Sequence, residues 1–276
     1  MGLPPFVLAD RATLEDTARH AAQAVPLGDG TLMCRVLGKY LMFVDPYDLG
    51  VTPRLCLDGF WESWITTAIA RALVPGDFVV DVGANHGYYT MLLADGVGRH
   101  GRVLAIEPNP SLAALVEMSV EVNGFGRRVH VARKAASDGA APSARLTIPT
   151  RRGACASICR APAAGDASVD VEAASVDELT AAWPRVDLVK VDAEGAEPLV
   201  WAGMPRTIRD NPGLVVVLEF VASRYRDPEG FVSAIVAAGF DLRHVAADSQ
   251  IQPIGPDQVL TDGDEGEGWT LFLQRA

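Results

Sequence analysis

The sequence predicts an α/β fold in which a mostly parallel sheet of seven strands carries helices on both faces. From residue 77 onward, short apolar runs alternate with segments in which apolar residues recur at helical spacing. Such alternation is typical of parallel strands joined by helices that cover the sheet. The chain closes on two apolar runs that follow each other directly, so we expect the last strand to run antiparallel at or near a sheet edge.

The elements of this core are read from the apolar pattern. Strands are predicted at 78–82, 102–107, 128–135, 185–192, 213–220, 240–245 and 269–274. Helices are predicted at 88–94, 111–123, 196–203 and 230–239. Short β-rich runs bounded by turn-forming residues fit buried strands, whereas longer segments of helical periodicity fit the crossover helices.

Residues 1–76 are predicted to form an N-terminal extension or cap on the core, which occupies 77–276. Two segments of helical spacing, and two β-rich runs separated by Gly38 and Lys39, indicate two helices and a hairpin. The helices are expected at 12–24 and 61–73, and the hairpin strands at 31–37 and 40–44. Pro75 and Gly76 end the second helix.

Residues 139–175 interrupt the strand–helix alternation. They read as two short strands flanking a loop of small residues, inserted between the third and fourth core strands. Irregular insertions on such sheets often carry substrate-facing loops. We therefore expect the cap and this insertion to determine substrate specificity.

Composition excludes several classes of partner. The chain has 24 basic and 35 acidic residues, a net charge of −11, and no run of Lys and Arg. Nucleic-acid binding depends on basic side chains that neutralise phosphates, so no nucleic-acid partner is expected. The longest apolar runs, such as 214–218, fall far short of the ~20 residues of a membrane-spanning helix, so no membrane partner is expected either.

Cysteine usage and the N-terminus predict a cytoplasmic protein. The four cysteines, at 34, 56, 155 and 159, lack the spacing of a zinc site, and reduced thiols are their expected state. The first residues show neither the basic stretch nor the apolar run of a secretory signal. The acidic stretch at 261–268 is expected to be a solvated loop, because the spacing of a calcium loop is absent.

The segment 79–90, V-V-D-V-G-A-N-H-G-Y-Y-T, predicts a ligand-binding turn after the first core strand. Ligands of open parallel sheets bind at the carboxyl ends of the strands. A dinucleotide fingerprint would place glycines at 83, 85 and 88, but Asn85 and Tyr88 stand at two of these positions. Asp81 would also repel a pyrophosphate, so the turn favours a cationic or amino-bearing ligand.

Glu107 ends the second strand and predicts a ribose contact. A carboxylate there can accept hydrogen bonds from both ribose hydroxyls of a nucleoside. An adenosine with a positively charged amino-acid tail suits Asp81 and Glu107 together, and S-adenosylmethionine is such a molecule. The alternative is that both acids are polar strand ends that cap turns.

Three blocks, V-D-V-G-A-N-H-G-Y-Y-T, A-I-E-P-N-P and L-V-K-V-D-A-E-G-A-E, resemble the FkbM family of S-adenosylmethionine-dependent methyltransferases. The resemblance spans about residues 58–220 and includes G-F-W-E ahead of the core and S-V-D-E-L before the fourth strand. It implies a Rossmann-like class I methyltransferase core. It also implies methyl transfer, usually to a hydroxyl oxygen, on sugars, polyketides or other secondary metabolites. The expected partner is thus a small-molecule or glycan hydroxyl acceptor.

The resemblance also implies the positions of the cofactor-binding residues. Asp81, Gly83 and Asn85 are expected at the methionine end of the cofactor, and Glu107 at its ribose. The residues expected beside the adenine are Asn109, Ser137 and Asp138. Asp192 is expected to face the methyl sulfonium. Glu194 and Glu197 follow it, and a favourable charge at the helix N-terminus is an alternative role for both.

Deprotonation of a hydroxyl acceptor needs a nearby base or a metal ion. The candidate bases at strand ends are His86, Asp192, Glu194 and Glu219. His86 could accept the proton as a neutral imidazole or only form local hydrogen bonds. Asp192 with Glu219 could instead hold a divalent cation through oxygen ligands. The spacing leaves metal dependence open.

Two other classes of function remain as alternatives. A nicotinamide-dependent reductase would use the same kind of fold, although the glycine pattern disfavours it. A non-catalytic module could retain the S-adenosylmethionine pocket as a scaffold without transferring a methyl group. Two measurements distinguish a methyltransferase from these two alternatives: binding of nicotinamide cofactors, and methyl transfer to a panel of acceptors.

Overall fold

The N-terminal cap consists of three helices and a small antiparallel sheet. The computed structural model describes residues 2–28, 30–261 and 268–275. Helices α1–α3 are Arg11–Ala21, Thr52–Leu57 and Ser63–Ala72, and strands β1–β3 are Gln23–Pro26, Leu32–Val36 and Tyr40–Val44. The Asp10 carboxylate caps α1 by accepting a hydrogen bond from Thr13 N at 2.9 Å. Strands β2 and β3 form the predicted hairpin, and β1 pairs with β2.

The first half of the core is three parallel strands joined by two helices. In chain order these are β4 (Phe78–Val82), α4 (Tyr88–Gly96), β5 (Arg102–Ile106), α5 (Pro110–Val122) and β6 (Val129–Ala132). Strand β5 lies between β4 and β6, with parallel pairing on both sides. Val79 and Val103 pack on the face that carries α4, whereas Val80 and Leu104 pack on the other. Burial on both faces explains why these strands are continuous apolar runs.

The cap packs directly on helices α4 and α5. Buried side chains of the cap, including Leu14 and Met42, belong to the same apolar cluster as Met91 of α4. Phe43 N donates to Ser119 Oγ at 2.9 Å, and Leu41 N donates to Asn123 Oδ1 at 3.1 Å. Side chains of α5 thus accept the backbone donors of the outer strand β3, which would otherwise be unpaired.

Residues 139–175 contain a hairpin beside the sheet, formed by strands β8 (Ser143–Ile148) and β9 (Ala167–Ala174). A short strand before them, β7 (Ala135–Ala136), lies where the predicted third core strand ends. Strands β8 and β9 are antiparallel, and β7 pairs with the end of β9 in parallel. The loop between β8 and β9 returns to the hairpin through a bridge between Thr147 and Ser157.

The second half of the core begins on the other side of β4. Its elements are α6 (Val176–Leu179), β10 (Leu188–Val191), α7 (Glu197–Ala202), α8 (Pro205–Asp210), β11 (Val215–Phe220) and α9 (Pro228–Ala237). Strand β10 pairs with β4 and β11, both in parallel. The strand order therefore reverses between β4 and β10. Such a reversal opens a crevice at the carboxyl ends of the strands.

The last strands complete a sheet that has nine strands in the described part of the chain. They are β12 (Phe240–Asp241), β13 (Arg243–Val245), β14 (Ile251–Pro253) and β15 (Trp269–Arg275), with α10 (Pro256–Val259) before the last. Strand β15 runs antiparallel between β11 and β13, close to the edge, as expected. The predicted sixth strand is interrupted at Leu242, and β14 covers the edge. Three residues were too few for β14 to appear in the apolar pattern.

Two further expectations concern membrane contact and the acidic stretch. Among the described residues, no helix has the length and apolar composition that crossing a bilayer requires. The stretch at 261–268, expected as a solvated loop, lies outside the described residues apart from its two end positions.

Candidate active site

A cleft opens at the carboxyl ends of β4, β5 and β10, where the strand order reverses. The turns after β4 and β10 form its walls, and the insertion covers it. The residues that line the cleft include Gly83, Asn85, Glu107, Ala154, Asp192 and Glu194. Of these six, all but Ala154 are site residues that the sequence predicted. The tertiary structure therefore brings together carboxylates from two separate strand ends, those of β5 and β10.

Gly83 allows the two main turns of the cleft to touch. Its backbone is left-handed, with φ +71°, and a Cβ at this position would overlap the carbonyl oxygen of Asp192. Only glycine fits such an approach. Asn85 is also left-handed, at φ +55°, a conformation that asparagine tolerates better than most residues. This backbone path aims the Asn85 N–H at the Glu107 carboxylate, 2.7 Å away.

Glu107 is buried beneath the cleft and bound to the backbone on both sides. Its Oε2 accepts from Asn85 N at 2.7 Å and its Oε1 accepts from Asn109 N at 2.8 Å. Burial raises the pKa of Glu107 to about 7, against the effect of these two donors. Each carboxylate oxygen has two lone pairs. Glu107 can therefore still accept hydrogen bonds from a ligand hydroxyl in the cleft.

Asp81, predicted at the methionine end of the cofactor, is buried and is not among the residues that line the cleft. Its side chain is fully buried, and Thr90 Oγ donates to its Oδ2 at 2.6 Å. Oδ1 has no hydrogen-bond partner among the described residues. Burial raises the pKa of Asp81, and the charge of Lys190 opposes the rise.

Lys190 is a site residue that the sequence reading missed. Its Nζ lies 3.3 Å from Asp192 Oδ2, 3.8 Å from Asp81 Oδ1 and 3.5 Å from the Gly83 carbonyl oxygen. The parallel register places Lys190 directly beside Asp81. A lysine inside the apolar run L-V-K-V was the available signal, because a buried ammonium group requires carboxylate partners.

Glu194 is a second carboxylate of the cleft with the features of a base. It lines the cleft on the turn after β10, in a left-handed conformation with φ +53°. Arg224 Nη1 lies 3.3 Å from Glu194 Oε2 and 2.7 Å from Glu219 Oε2. Burial, and next the charge of Asp192, raise the pKa of Glu194 to about 7, although Arg224 opposes the rise.

Asp192, Glu197 and Glu219 form the acidic group that the metal hypothesis requires. One carboxylate oxygen from each lies within 4.8 Å of the others. However, both Glu197 oxygens accept backbone hydrogen bonds, from Ala193 N at 2.7 Å and Gly195 N at 2.9 Å. Arg224 is already paired with Glu219. Glu197 therefore holds the turn through two backbone hydrogen bonds at the start of α7, and an arginine supplies the positive charge beside Glu219.

His86 is placed differently from the other candidate bases. Its side chain is 1% exposed, and it is not among the residues that line the cleft. Nδ1 lies 2.7 Å from Asn85 Oδ1, and Nε2 has no partner in the described part of the chain. Burial lowers the pKa of His86, although the carboxylates of Asp48 and Asp45 oppose this. Glu194 and Asp192 thus line the cleft, whereas His86 does not.

The residues expected beside the adenine lie next to the cleft wall. Asn109 caps α5, with its Oδ1 accepting from Ser111 N at 3.1 Å. Ser137 and Asp138 accept hydrogen bonds from Gly139 N and Ala140 N in their own turn. Pro108, Ala135 and Ala136, close to them in the chain, line the cleft, whereas Asn109, Ser137 and Asp138 are not among its lining residues. Their role beside the adenine stays a prediction.

The insertion loop is tied to both walls of the cleft. Ala154 N donates to Asp48 Oδ2 at 2.7 Å, and Asn85 Nδ2 donates to the Ala154 carbonyl oxygen at 3.2 Å. On the other wall, Ser157 Oγ donates to the Glu194 carbonyl oxygen at 2.7 Å. The loop therefore acts as a roof whose position depends on the cap, on β4 and on β10. These long-range pairings leave no local signature in the sequence.

Comparisons with known proteins found methyltransferases that resemble this chain in part. Over 57 residues, 21% of this chain, it is 44% identical to a protein-L-isoaspartate O-methyltransferase of Aeropyrum pernix, and it spans only 22% of that relative. A solved FkbM methyltransferase from Methylobacillus flagellatus matches with TM-score 0.44 and 14% identity, covering 83% of this chain and 55% of that one. A putative O-methyltransferase from Klebsiella pneumoniae matches with TM-score 0.43 and 14% identity, covering 84% of each chain.

The family comparison covers the turns that build the cleft. The model of the methyltransferase FkbM domain matches residues 81–242, which is 162 of the 276 residues and includes every strand end described above. The match begins at Asp81 and contains Glu107, Asp192 and Glu194. This chain therefore belongs to the FkbM methyltransferase family.

Proposed function

We propose that the protein transfers a methyl group from S-adenosylmethionine to a hydroxyl oxygen of a sugar or secondary-metabolite acceptor. The observation that carries the proposal is Glu194, a carboxylate in the cleft whose pKa is raised to about 7 by burial and by Asp192. A general base is most effective when its pKa lies near the working pH. Hydroxyl acceptors, unlike thiolates, need such a base.

The charges of the cleft suit the cofactor. When bound, S-adenosylmethionine supplies an electrophilic methyl group on a positively charged sulfur. Asp192, at the cleft, offers a negative charge to that sulfur, and Glu107 retains lone pairs for ribose hydroxyls. The apolar wall of Pro108, Ala135 and Ala136 offers a surface for a flat base. The residues present therefore fit the cofactor that the family uses.

Glu194, Asp192 and Arg224 have different roles in activating the acceptor. Glu194 accepts the hydroxyl proton, and the charge of Asp192 increases its basicity. Arg224 holds the Glu194 carboxylate in place at 3.3 Å. The roof of the insertion limits water access and holds the acceptor close to these groups, which lowers the entropic barrier of the reaction.

The compartment proposed for this activity is the cytoplasm. All four cysteines are free thiols, which is the expected state in a reducing compartment. The net charge of −11 supports a small-molecule acceptor rather than nucleic acid.

A Glu194→Gln variant tests the proposal. Glutamine keeps the size of the side chain but cannot accept a proton, so turnover should fall about 10²–10⁴-fold while S-adenosylmethionine binding remains within a few-fold. Formation of S-adenosylhomocysteine on a panel of sugars and phenolic or polyketide alcohols measures turnover, and calorimetry measures binding. Glu121→Gln, an exposed change on α5, is the matched control. Full activity of Glu194→Gln would show that another group takes the proton.

A further inference from the structure

Glu62 connects the cap to the interior of the core. It precedes α3 with a left-handed backbone, φ +38°, and its Oε2 accepts a hydrogen bond from Tyr89 Oη at 2.7 Å. Tyr89 belongs to α4 and is 4% exposed. The hydrogen bond therefore joins a cap carboxylate to a buried ring of the core.

The Tyr89 ring in turn contacts Lys190. The Lys190 ammonium group lies 4.9 Å from the centre of the ring, within the range of a cation–π contact. On its other side this ammonium group contacts Asp192 Oδ2 at 3.3 Å. Among the described residues, Lys190 is the side chain that pairs with the Asp192 carboxylate. A continuous series of contacts thus leads from Glu62 through Tyr89 and Lys190 to Asp192.

The positive charge of Lys190 is stabilised by the carboxylates around it. Burial lowers the pKa of Lys190, but the carboxylates of Asp192, Asp81 and Glu62 outweigh it and raise the pKa above its usual value. Lys190 therefore stays charged within the protein. Because a lysine side chain is flexible, the ammonium group needs contacts on several sides to remain beside Asp192.

We propose that Lys190 is a positioning residue that holds the Asp192 carboxylate at the cleft, and that Glu62 of the cap, through Tyr89, holds Lys190 in place. The cap is then part of the active site, although Glu62 itself is not among the residues that line the cleft. The inference rests on the proposed function for the role of Asp192, but the contacts on which it depends belong to the protein alone.

A double-mutant cycle tests whether Glu62 acts through Lys190. Glu62→Gln should lower kcat and S-adenosylmethionine affinity at least several-fold in the native background. In a Lys190→Met background the same change should have no further effect, because the ammonium group that connects Tyr89 with Asp192 is absent. Tyr89→Phe should behave like Glu62→Gln. Equal losses in both backgrounds, or no loss in the native one, would overturn the proposal.

Glu15→Gln is the matched control in the cap. Glu15 accepts a hydrogen bond from Ser63 Oγ, next to Glu62 in the chain, and pairs with Arg11 rather than with the series. Its effects on kcat and affinity should be small and should add to those of Lys190→Met. A loss comparable with that of Glu62→Gln would assign the Glu62 effect to general disturbance of the cap.

Carboxyl NMR of the ligand-free protein separates failure of this inference from failure of the proposed function. Lys190 helps to hold down the pKa of Glu194, so Lys190→Met should move the Glu194 titration to higher pH. Glu62→Gln should change that titration in the native background and leave it unchanged in the Lys190→Met background. If the native protein binds no S-adenosylmethionine, the proposed function fails, and the titrations still decide the role of Glu62. Identical Glu194 titrations in all variants would refute the positioning role.

Discussion

At the scale of single residues, the cleft contains buried carboxylates that differ in the hydrogen-bond and ion-pair partners that stabilise their charge. Asp192 is paired with Lys190, Glu107 with two backbone donors, and Glu194 only partly with Arg224. An incompletely compensated buried carboxylate binds its proton more tightly. Glu107 and Glu194 both have a pKa raised to about 7, but the Glu107 oxygens already accept two backbone hydrogen bonds, so Glu194 is the better candidate to accept a proton from a molecule in the cleft.

The raised pKa of Glu194 predicts the pH dependence of activity. Below about pH 7 the carboxyl is protonated and cannot accept the hydroxyl proton, so kcat/KM should fall about tenfold per pH unit on the acidic side. Profiles of kcat/KM from pH 5 to 9 measure the effect. A profile flat down to about pH 5 would contradict a base with this pKa.

Glu107 is predicted to contribute to both binding and stability. Glu107→Ala removes a hydrogen-bond acceptor from the proposed ribose site, so S-adenosylmethionine binding should weaken by about 1.5–3 kcal/mol. It also leaves the buried N–H groups of Asn85 and Asn109 unpaired, which should lower the free energy of unfolding by about 1–3 kcal/mol each. Calorimetry and urea unfolding measure the two effects. Glu121→Ala serves as the control, and unchanged affinity in Glu107→Ala would remove Glu107 from the cofactor site.

At the scale of elements, two turns and one inserted loop form the site. The turns after β4 and β10 touch because Gly83 has no side chain, and the loop between β8 and β9 lies across both. Parallel strands place the turns at one edge regardless of the loop. The loop itself is held by a few side-chain hydrogen bonds and is the element best able to open for exchange of ligands.

Ser157→Ala is predicted to loosen the roof. Ser157 Oγ donates to the Glu194 carbonyl oxygen at 2.7 Å. Loss of this hydrogen bond should destabilise the form in which the loop covers the cleft by about 0.5–1.5 kcal/mol. S-adenosylhomocysteine should therefore dissociate about 2- to 12-fold faster, as measured by stopped-flow fluorescence. Ser168→Ala, an exposed change on β9, should leave the rate unaltered. A native dissociation rate in Ser157→Ala would show that the roof is held by other contacts.

At the scale of the whole molecule, cap and core form one apolar interior. Leu14 and Met42 from the cap are completely buried against side chains of α4, and α5 binds the outer strand of the cap hairpin. Residues that share one core usually unfold together. The cap is thus predicted to be a structural part of the enzyme rather than an appendage.

Met42→Ala tests this cooperativity. It removes a buried side chain of the cap and should lower the free energy of unfolding of the entire chain by about 2–5 kcal/mol. Leu57→Ala, in the same cap but 74% exposed, should change it by less than about 0.5 kcal/mol. Urea unfolding followed by far-UV circular dichroism and by tryptophan fluorescence should give one coincident transition. A core transition unaffected by Met42→Ala would show that the cap unfolds separately.

The sequence alone determined the class of fold and the positions of the key strand ends. Apolar runs locate buried strands, and parallel strands bring their carboxyl ends to one edge, so Glu107, Asp192 and Glu194 could be expected near one another. The three motif blocks identified the family on the same residues. These features depend on local order along the chain, which is why they were accessible without a structure.

Only the tertiary structure decided which of these side chains line the cleft and which charged groups surround them. The pairing of Lys190 with Asp81 and Asp192 follows from the register of β10 against β4, and the burial of His86 follows from packing beneath the cap. Residues distant in sequence, such as Asp48 and Ala154, meet only when cap and insertion fold over the same turn. Burial and pairing set the pKa of a group, and both arise from contacts between segments that the sequence pattern treats as independent.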